Sequence, residues 1–238
     1  EKKIGAPYPY EKYAQIAVAD FIFGGMENTS ATTQTDLTLH DARAHLDFSS
    51  DPLVAHELAH QWFGNLVTCK DWPHAWLNEG FATYIEVCWT EHHLNDDEAR
   101  YEMLQNQRRY LMEDAQYRRP VVTNVFAEPI DLFDAHLYLK GAWVLHMLRG
   151  ELGEGPFWAS IRRYLKDNAR GSVETVDLIR AVEKVTGRNL QPFFDQWIFK
   201  GGHPDLKASY AWNAETKTAS VTVTQTQDTA DGTPLFRF

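Results

Sequence analysis

His56-Glu57-Leu58-Ala59-His60, followed downstream by Trp76-Leu77-Asn78-Glu79-Gly80, decides how this chain is read. On a helix, residues i and i+4 share one face a turn apart, so both imidazoles can reach a single metal ion. Glu57 sits about 100° round the helix and points along its flank towards a water at that metal. Glu79 supplies the third ligand. Three protein ligands leave the fourth position of zinc open to water or substrate, which separates a catalytic site from a closed structural one. The setting is helical: Asp51-Pro52 reads as N-cap and first turn, and Leu53, Ala55, Leu58, Ala59, Trp62 and Phe63 supply apolar positions, predicting a helix over 52–65. The pattern points to a zinc metallopeptidase.

Working outward, the 238 residues, 44% hydrophobic and 24% charged, are enough to bury a sizeable core. A formal net charge of −10, with no Lys/Arg run longer than two, argues against a nucleic-acid partner. No run of apolar residues is long enough for a membrane segment, and no h-region follows Glu1-Lys2-Lys3, so a cytoplasmic location is the expectation. The chain opens on Glu1, and Ile4 to Tyr10 reads as continuing an element begun upstream, as in a fragment. Cys69 and Cys88 are outside any C-x-x-C pair and are expected to be buried free thiols. Nothing in the sequence specifies an oligomeric state or a preferred first residue of the substrate.

Strands are predicted at Tyr13 to Val18 and Ala31 to His40, with Phe23-Gly24-Gly25-Met26-Glu27-Asn28 between them. Helical periodicity then takes over: 52–65, 78–93, 96–115, 141–152, 156–169, 175–186 and 190–199, with Asp131 to Lys140 a loop and Gly187 and Gly201-Gly202 as C-terminal stops. After His203-Pro204 the period changes to two, and Leu206 to Trp212 and Ala219 to Val223 read as a β-hairpin, with a third strand beginning at Phe236-Arg237-Phe238. The reading is therefore α+β: residues 1–203 as a mostly helical catalytic domain after a short sheet, and 204–238 as the first strands of a truncated β domain.

Three separated motifs resemble the zinc aminopeptidases of the aminopeptidase N and leukotriene hydrolase family. Gly24-Gly25-Met26-Glu27-Asn28 is similar to that family's exopeptidase motif, His56 to His60 with Glu79 to its zinc signature, and Tyr138-Leu139-Lys140-Gly141 to the segment carrying its catalytic tyrosine. One departure is Gly25, where many members carry Ala. The resemblance implies a thermolysin-like catalytic domain truncated at its N-terminal side and followed by the start of a β-sandwich, one zinc per chain on His56, His60 and Glu79, and peptide substrates with a free N-terminus. It also implies that Gly24 to Asn28 bind substrate, that Glu27 holds its α-ammonium, and that Tyr138 donates to the oxyanion.

Each residue also has a plainer reading. Glu27 alone is a loop carboxylate closing a glycine turn, and Tyr138 alone is a core aromatic; Glu86, seven residues after Glu79, is either a partner of a ligating histidine or a surface charge. His40, His45, His74, His92, His93, His136, His146 and His203 lack ligand spacing and are expected to be structural or exposed. The chemistry implied is attack by a water that Glu57 deprotonates, with the proton passed on to the leaving amine. Two alternatives compete: an epoxide hydrolase of the leukotriene hydrolase type, and a non-catalytic peptide-binding relative. Retention of all six chemical groups argues against the second.

Overall fold

The computed structural model describes residues 3–237. Among these the fold is α+β: a small sheet, seven α-helices enclosing a short strand pair, and an antiparallel hairpin. In the first sheet, β3 (Ala31–Thr35) lies between β1 (Ala14–Val18), to which it is parallel, and β2 (Gly25–Met26), to which it is antiparallel. The predicted strand over 31–40 stops at Thr35. There Thr35 accepts from Leu37 N and Thr38 Oγ1 donates to Thr35 O (2.7 Å), so local hydroxyl bonds turn the chain into a 3-10 turn.

Helix α1 (Asp51–Ala59) carries Asp51 and Pro52 inside its first turn, with Ser50 before it, one residue earlier than the N-cap predicted on Asp51. It also ends well short of residue 65. Beyond Ala59 the bonds tighten to i→i+3 (Gln61 N to Leu58 O, Trp62 N to Ala59 O), and Gly64, at φ +134°, turns its N–H to Val67 O instead. That turn delivers β4 (Val67–Cys69), and then comes α2 (Trp76–His93).

Helix α2 is the axis of the molecule. It packs on α1, on α3 (Asp96–Asp114) and on α4 (Gly141–Leu152), and it buries Trp76, Leu77, Phe81, Tyr84 and Val87. Phe81 stacks between Phe63 (4.3 Å) and Tyr164 (5.9 Å); side chains of this size each contribute about 1.5–3 kcal/mol on full burial. Gly80 and Gly141 let α2 and α4 touch backbone to backbone, since a Cβ on Gly80 would lie 3.1 Å from Gly141 Cα. The contact falls one residue after Glu79 and three after Tyr138.

Residues 131–140, predicted as a loop, instead hold the end of a 3-10 turn (Pro129–Leu132) and a five-residue π-turn (His136–Lys140) that runs straight into α4. Helix α5 (Glu154–Asn168) leads to β5 (Gly171–Val173), whose parallel pairing with β4 the sequence did not reveal, then α6 (Thr175–Thr186) and α7 (Gln191–Trp197). The hairpin is β6 (Leu206–Asn213) with β7 (Thr218–Gln225). No third strand forms at Phe236 and Arg237, and Phe238 lies outside the described residues; Phe236 instead packs on Trp197 at 4.5 Å. Both cysteines are free, Cys88 buried and Cys69 half-buried. Among the described residues no helix is long and apolar enough to cross a membrane.

Candidate active site

Three donor atoms converge where α1 meets α2. His56 Nε2 lies 3.3 Å and His60 Nε2 3.2 Å from Glu79 Oε2, and the two Nε2 atoms are 3.1 Å apart. The far nitrogens fix the tautomers. His60 Nδ1 is 2.8 Å from Phe63 O, which only accepts, so Nδ1 carries the hydrogen and Nε2 presents a lone pair. His56 Nδ1 faces Glu86 Oε2 at 3.3 Å in the same way. Two lone pairs and a carboxylate oxygen therefore point at one another, an arrangement that repels unless a cation lies among them. A proton answers that need for one pair; a metal answers it for all three. Zinc bonds of about 2.0–2.1 Å in a tetrahedron give ligand–ligand edges of about 3.3 Å, close to the separations found. The donor set fits zinc.

Charge at the site follows from burial and these contacts. Burial opposes protonation of His56, but Glu79 and Glu86 outweigh it and lift the ring to about 10 when no metal competes. Burial pushes Glu79 upward, and the two histidines overcome it, holding the carboxyl at about 2. Glu57 is buried on the flank of α1, and burial, against the pull of His56 and His60, raises it to about 7. Its Oε2 has no hydrogen-bond partner among the described residues, an atom aimed at something other than protein.

Gly25 presses on that carboxylate: a Cβ there would collide with the Glu57 carboxyl group, so the glycine leaves room for the buried acid. Beside it, Glu27 is fixed through its backbone, its carbonyl accepting from Asn65 Nδ2 (2.7 Å) and Gln61 Nε2 (3.3 Å) just past the end of α1. The Glu27 and Glu57 carboxylates and a His60 ring nitrogen have atoms within 4.8 Å of one another. The Tyr138 ring stacks on His56 at 6.2 Å. Burial first, then the charges of Glu79, Glu27 and Glu57, push its phenol upward, so it stays a hydrogen-bond donor.

These groups face a cleft of about 1230 Å³, whose lining includes Gly24, Gly25, Met26 and Glu27 as well as Trp72, Ile130, Phe133 and Tyr138. Of the residues singled out in the sequence, His56, Glu57, Glu79, Glu27, Tyr138 and Gly24 to Met26 line it, while His60 is not in the lining and reaches His56 Nε2 at 3.1 Å. Asn28 does not join them. Its Oδ1 accepts from Thr33 Oγ1 (2.9 Å) and its carbonyl from Ala31 N (3.0 Å), so it closes the β2–β3 turn. Gln61 and Asn65, which hold Glu27, carry no spacing signal of their own.

Fold and site together have the form of a metallopeptidase domain. Residues 1–197 match the Peptidase family M1 domain, and the chain belongs to peptidase family M1. It is 36% identical over 209 residues to Aminopeptidase M1 of Arabidopsis thaliana, covering 85% of this chain and 24% of that protein. It is 35% identical over 220 residues to Leucyl aminopeptidase of Saccharolobus solfataricus, covering 88% and 28%. Yeast LTA4 hydrolase in complex with bestatin superposes with a TM-score of 0.75 at 27% identity, over 86% of this chain and 34% of that one. A mutant M1 zinc metallopeptidase from Deinococcus radiodurans, bound to a Tyr-Ser-Ala substrate, gives 0.67 at 28% identity, over 83% and 41%. The chain spans about a quarter of the length of these two curated relatives.

Proposed function

We propose that this chain is the catalytic unit of a zinc aminopeptidase that releases N-terminal residues from peptides, with one zinc held by His56, His60 and Glu79. The observation that carries the reading is the convergence of three lone-pair donors at 3.1–3.3 Å beside the unpartnered Glu57 carboxylate oxygen. Zinc, when bound, polarises the scissile carbonyl and acidifies water. Glu57, raised towards neutrality, takes the proton of the attacking water and delivers it to the leaving amine. The Tyr138 hydroxyl donates to the oxygen that gains charge as the carbonyl becomes tetrahedral. Glu27 receives the substrate ammonium by a charge-assisted bond, which sets the first peptide bond, and no interior one, over Glu57. The names of the relatives, aminopeptidases from a plant and an archaeon, agree with this reading.

The same reading assigns 1–203 to the peptidase domain and 204–238 to the opening strands of a β domain. Apart from Gln225, both strands of the hairpin are exposed, and Tyr210, Trp212, Val221 and Val223 are side chains that a larger sheet would bury. The test is metal analysis of the purified chain together with hydrolysis of aminoacyl anilides and their N-acetylated forms. One zinc per chain and cleavage confined to the free amines are expected, with Glu57→Gln keeping the zinc and losing the cleavage. Equal cleavage of acetylated substrates would remove Glu27 from its role; loss of zinc in Glu57→Gln as complete as in His60→Ala would make Glu57 a ligand.

A further inference from the structure

Among the described residues, the buried charged side chains outside the cleft gather around the turn that carries Tyr138. His136 is fully buried, with Nδ1 3.2 Å from Glu113 Oε1 and Nε2 3.2 Å from Asp114 Oδ1. Lys140, 3% exposed, donates from Nζ to Gly202 O at 2.8 Å and lies over the Tyr110 ring. Asp114 is the hub: it also accepts from Tyr110 Oη (3.2 Å) and Arg118 Nε (2.8 Å), and it lies 3.3 Å from His203 Nδ1. None of these side chains lines the cleft. Buried ion pairs are a costly way to hold a fold where apolar packing would serve, and their best-attested use is to fix register. The register at stake is visible here. His136 and Lys140 are the two ends of the π-turn, whose wide bond runs from Lys140 N to Ala135 O (2.9 Å), and Tyr138 is its centre. A π-turn holds an extra residue relative to an α-helix, and one residue is worth about 100° of rotation, enough to swing the phenol out of the cleft.

We infer that Asp114, His136 and Lys140 are positioning residues for Tyr138: they hold open the wide turn that aims its hydroxyl at the metal ligands. Through Gly202 and His203 they also tie that aim to the point where the chain leaves the helices for β6. This rests on the proposed role of Tyr138 as oxyanion donor. Lys140 reaches across to a backbone carbonyl and His136 to two carboxylates, so the turn is pinned at both ends by bonds that an apolar side chain of equal size could not make.

The test uses the whole chain and the substitutions Lys140→Met and, should that variant fold poorly, Asp114→Asn, each alone and in a Tyr138→Phe background. Expected for the single variant is a fall in kcat of about 10-fold to 100-fold with KM and zinc content little changed. In the Tyr138→Phe background the same substitution should cost no further kcat, because the group it positions is already gone. Ring-fluorinated tyrosine provides a readout independent of turnover: the Tyr138 resonance, assigned by its absence in Tyr138→Phe, should shift or broaden in Lys140→Met. An equal loss of kcat in both backgrounds with an unmoved resonance would overturn the inference and leave a purely structural network. If the unsubstituted chain cleaves nothing, the proposed function falls and the fluorine resonance alone decides whether the turn is held in this way.

Discussion

Glu86 Oε2 lies 3.3 Å from His56 Nδ1, while Glu79 Oε2 lies 3.3 Å from Nε2 of the same ring. Two carboxylates seven residues apart on α2 thus hold opposite edges of one imidazole, one orienting it and one sharing the position it points to. The orienting bond fixes the tautomer and makes the nitrogen a better donor. Glu86→Ala should therefore weaken zinc binding by roughly 10-fold to 100-fold, as loss of such partners does elsewhere. Competition with a chelator measures it, and an unchanged affinity would return Glu86 to the status of a surface charge.

Where sequence and structure agree, local chemistry carried the signal. The periodicity predicts a helix over 175–186 and α6 is Thr175–Thr186, because Gly187 takes a left-handed conformation that stops it and the buried Leu178, Ile179 and Val182 repeat at helical spacing. The candidate metal triad is legible because two of its members sit one turn apart. What stayed hidden depends on long-range partners. The β4–β5 pair has only three residues per strand, too few to show a period. The turn around Tyr138 reads as a loop because, beside its local bonds to Asp134 and Ala135, it is held at both ends by Glu113 and Asp114 on α3 and by Gly202, none of them near it in sequence. Helix α1 looked longer than it is because Trp62 and Phe63 are apolar for the sake of the core, and continue the helical pattern past its end.

The Gly80–Gly141 contact sets the distance between the helix that carries Glu79 and the one that Tyr138 precedes. A methyl group on Gly80 would sit 3.1 Å from Gly141 Cα and 3.3 Å from the buried Trp76 ring, so it has to push the helices apart. Gly80→Ala gains helix propensity but should destabilise the fold by about 1–3 kcal/mol, the usual cost of overpacking. Thermal unfolding should show a fall of about 2–4 °C for each of those kcal/mol. A rise in Tm would mean that the contact is loose enough to absorb the methyl.

Lys140 makes stability depend on pH in the alkaline range. Burial pushes its amine down to about 8, with Asp114 opposing and Arg118 and Arg119 adding to the shift, while the unfolded chain titrates near the ordinary lysine value of about 10.4. Between these values the unfolded state binds more protons, so the contribution of Lys140 to stability rises with pH, by at most about 1.4 kcal/mol per unit. Tyr110, which packs against the amine, is pushed upward mainly by burial and keeps its proton through this window. The stability difference between the chain and Lys140→Met, from urea unfolding at pH 8 and 10, should change by that increment, since the other titrating groups are common to both; an unchanged difference would show that the amine is not strained by its surroundings.

In the proposed reaction Tyr138 acts only as charge develops. Its ring rests on His56, and its phenol is kept protonated by burial and by the surrounding carboxylates, so it offers a hydrogen at the pH where Glu57 can still accept one. In the ground state that hydrogen has a weak claim on a neutral carbonyl; in the tetrahedral state it faces an oxyanion. Tyr138→Phe should therefore lower kcat by about 100-fold to 1,000-fold and leave KM almost unchanged. Packing gives the contrary expectation a clear form. The aromatic ring survives the substitution, so Tm should move little, and a large drop would show that the hydroxyl serves the fold. An effect chiefly on KM would show that Tyr138 binds substrate and transition state alike, which is not what an oxyanion donor does.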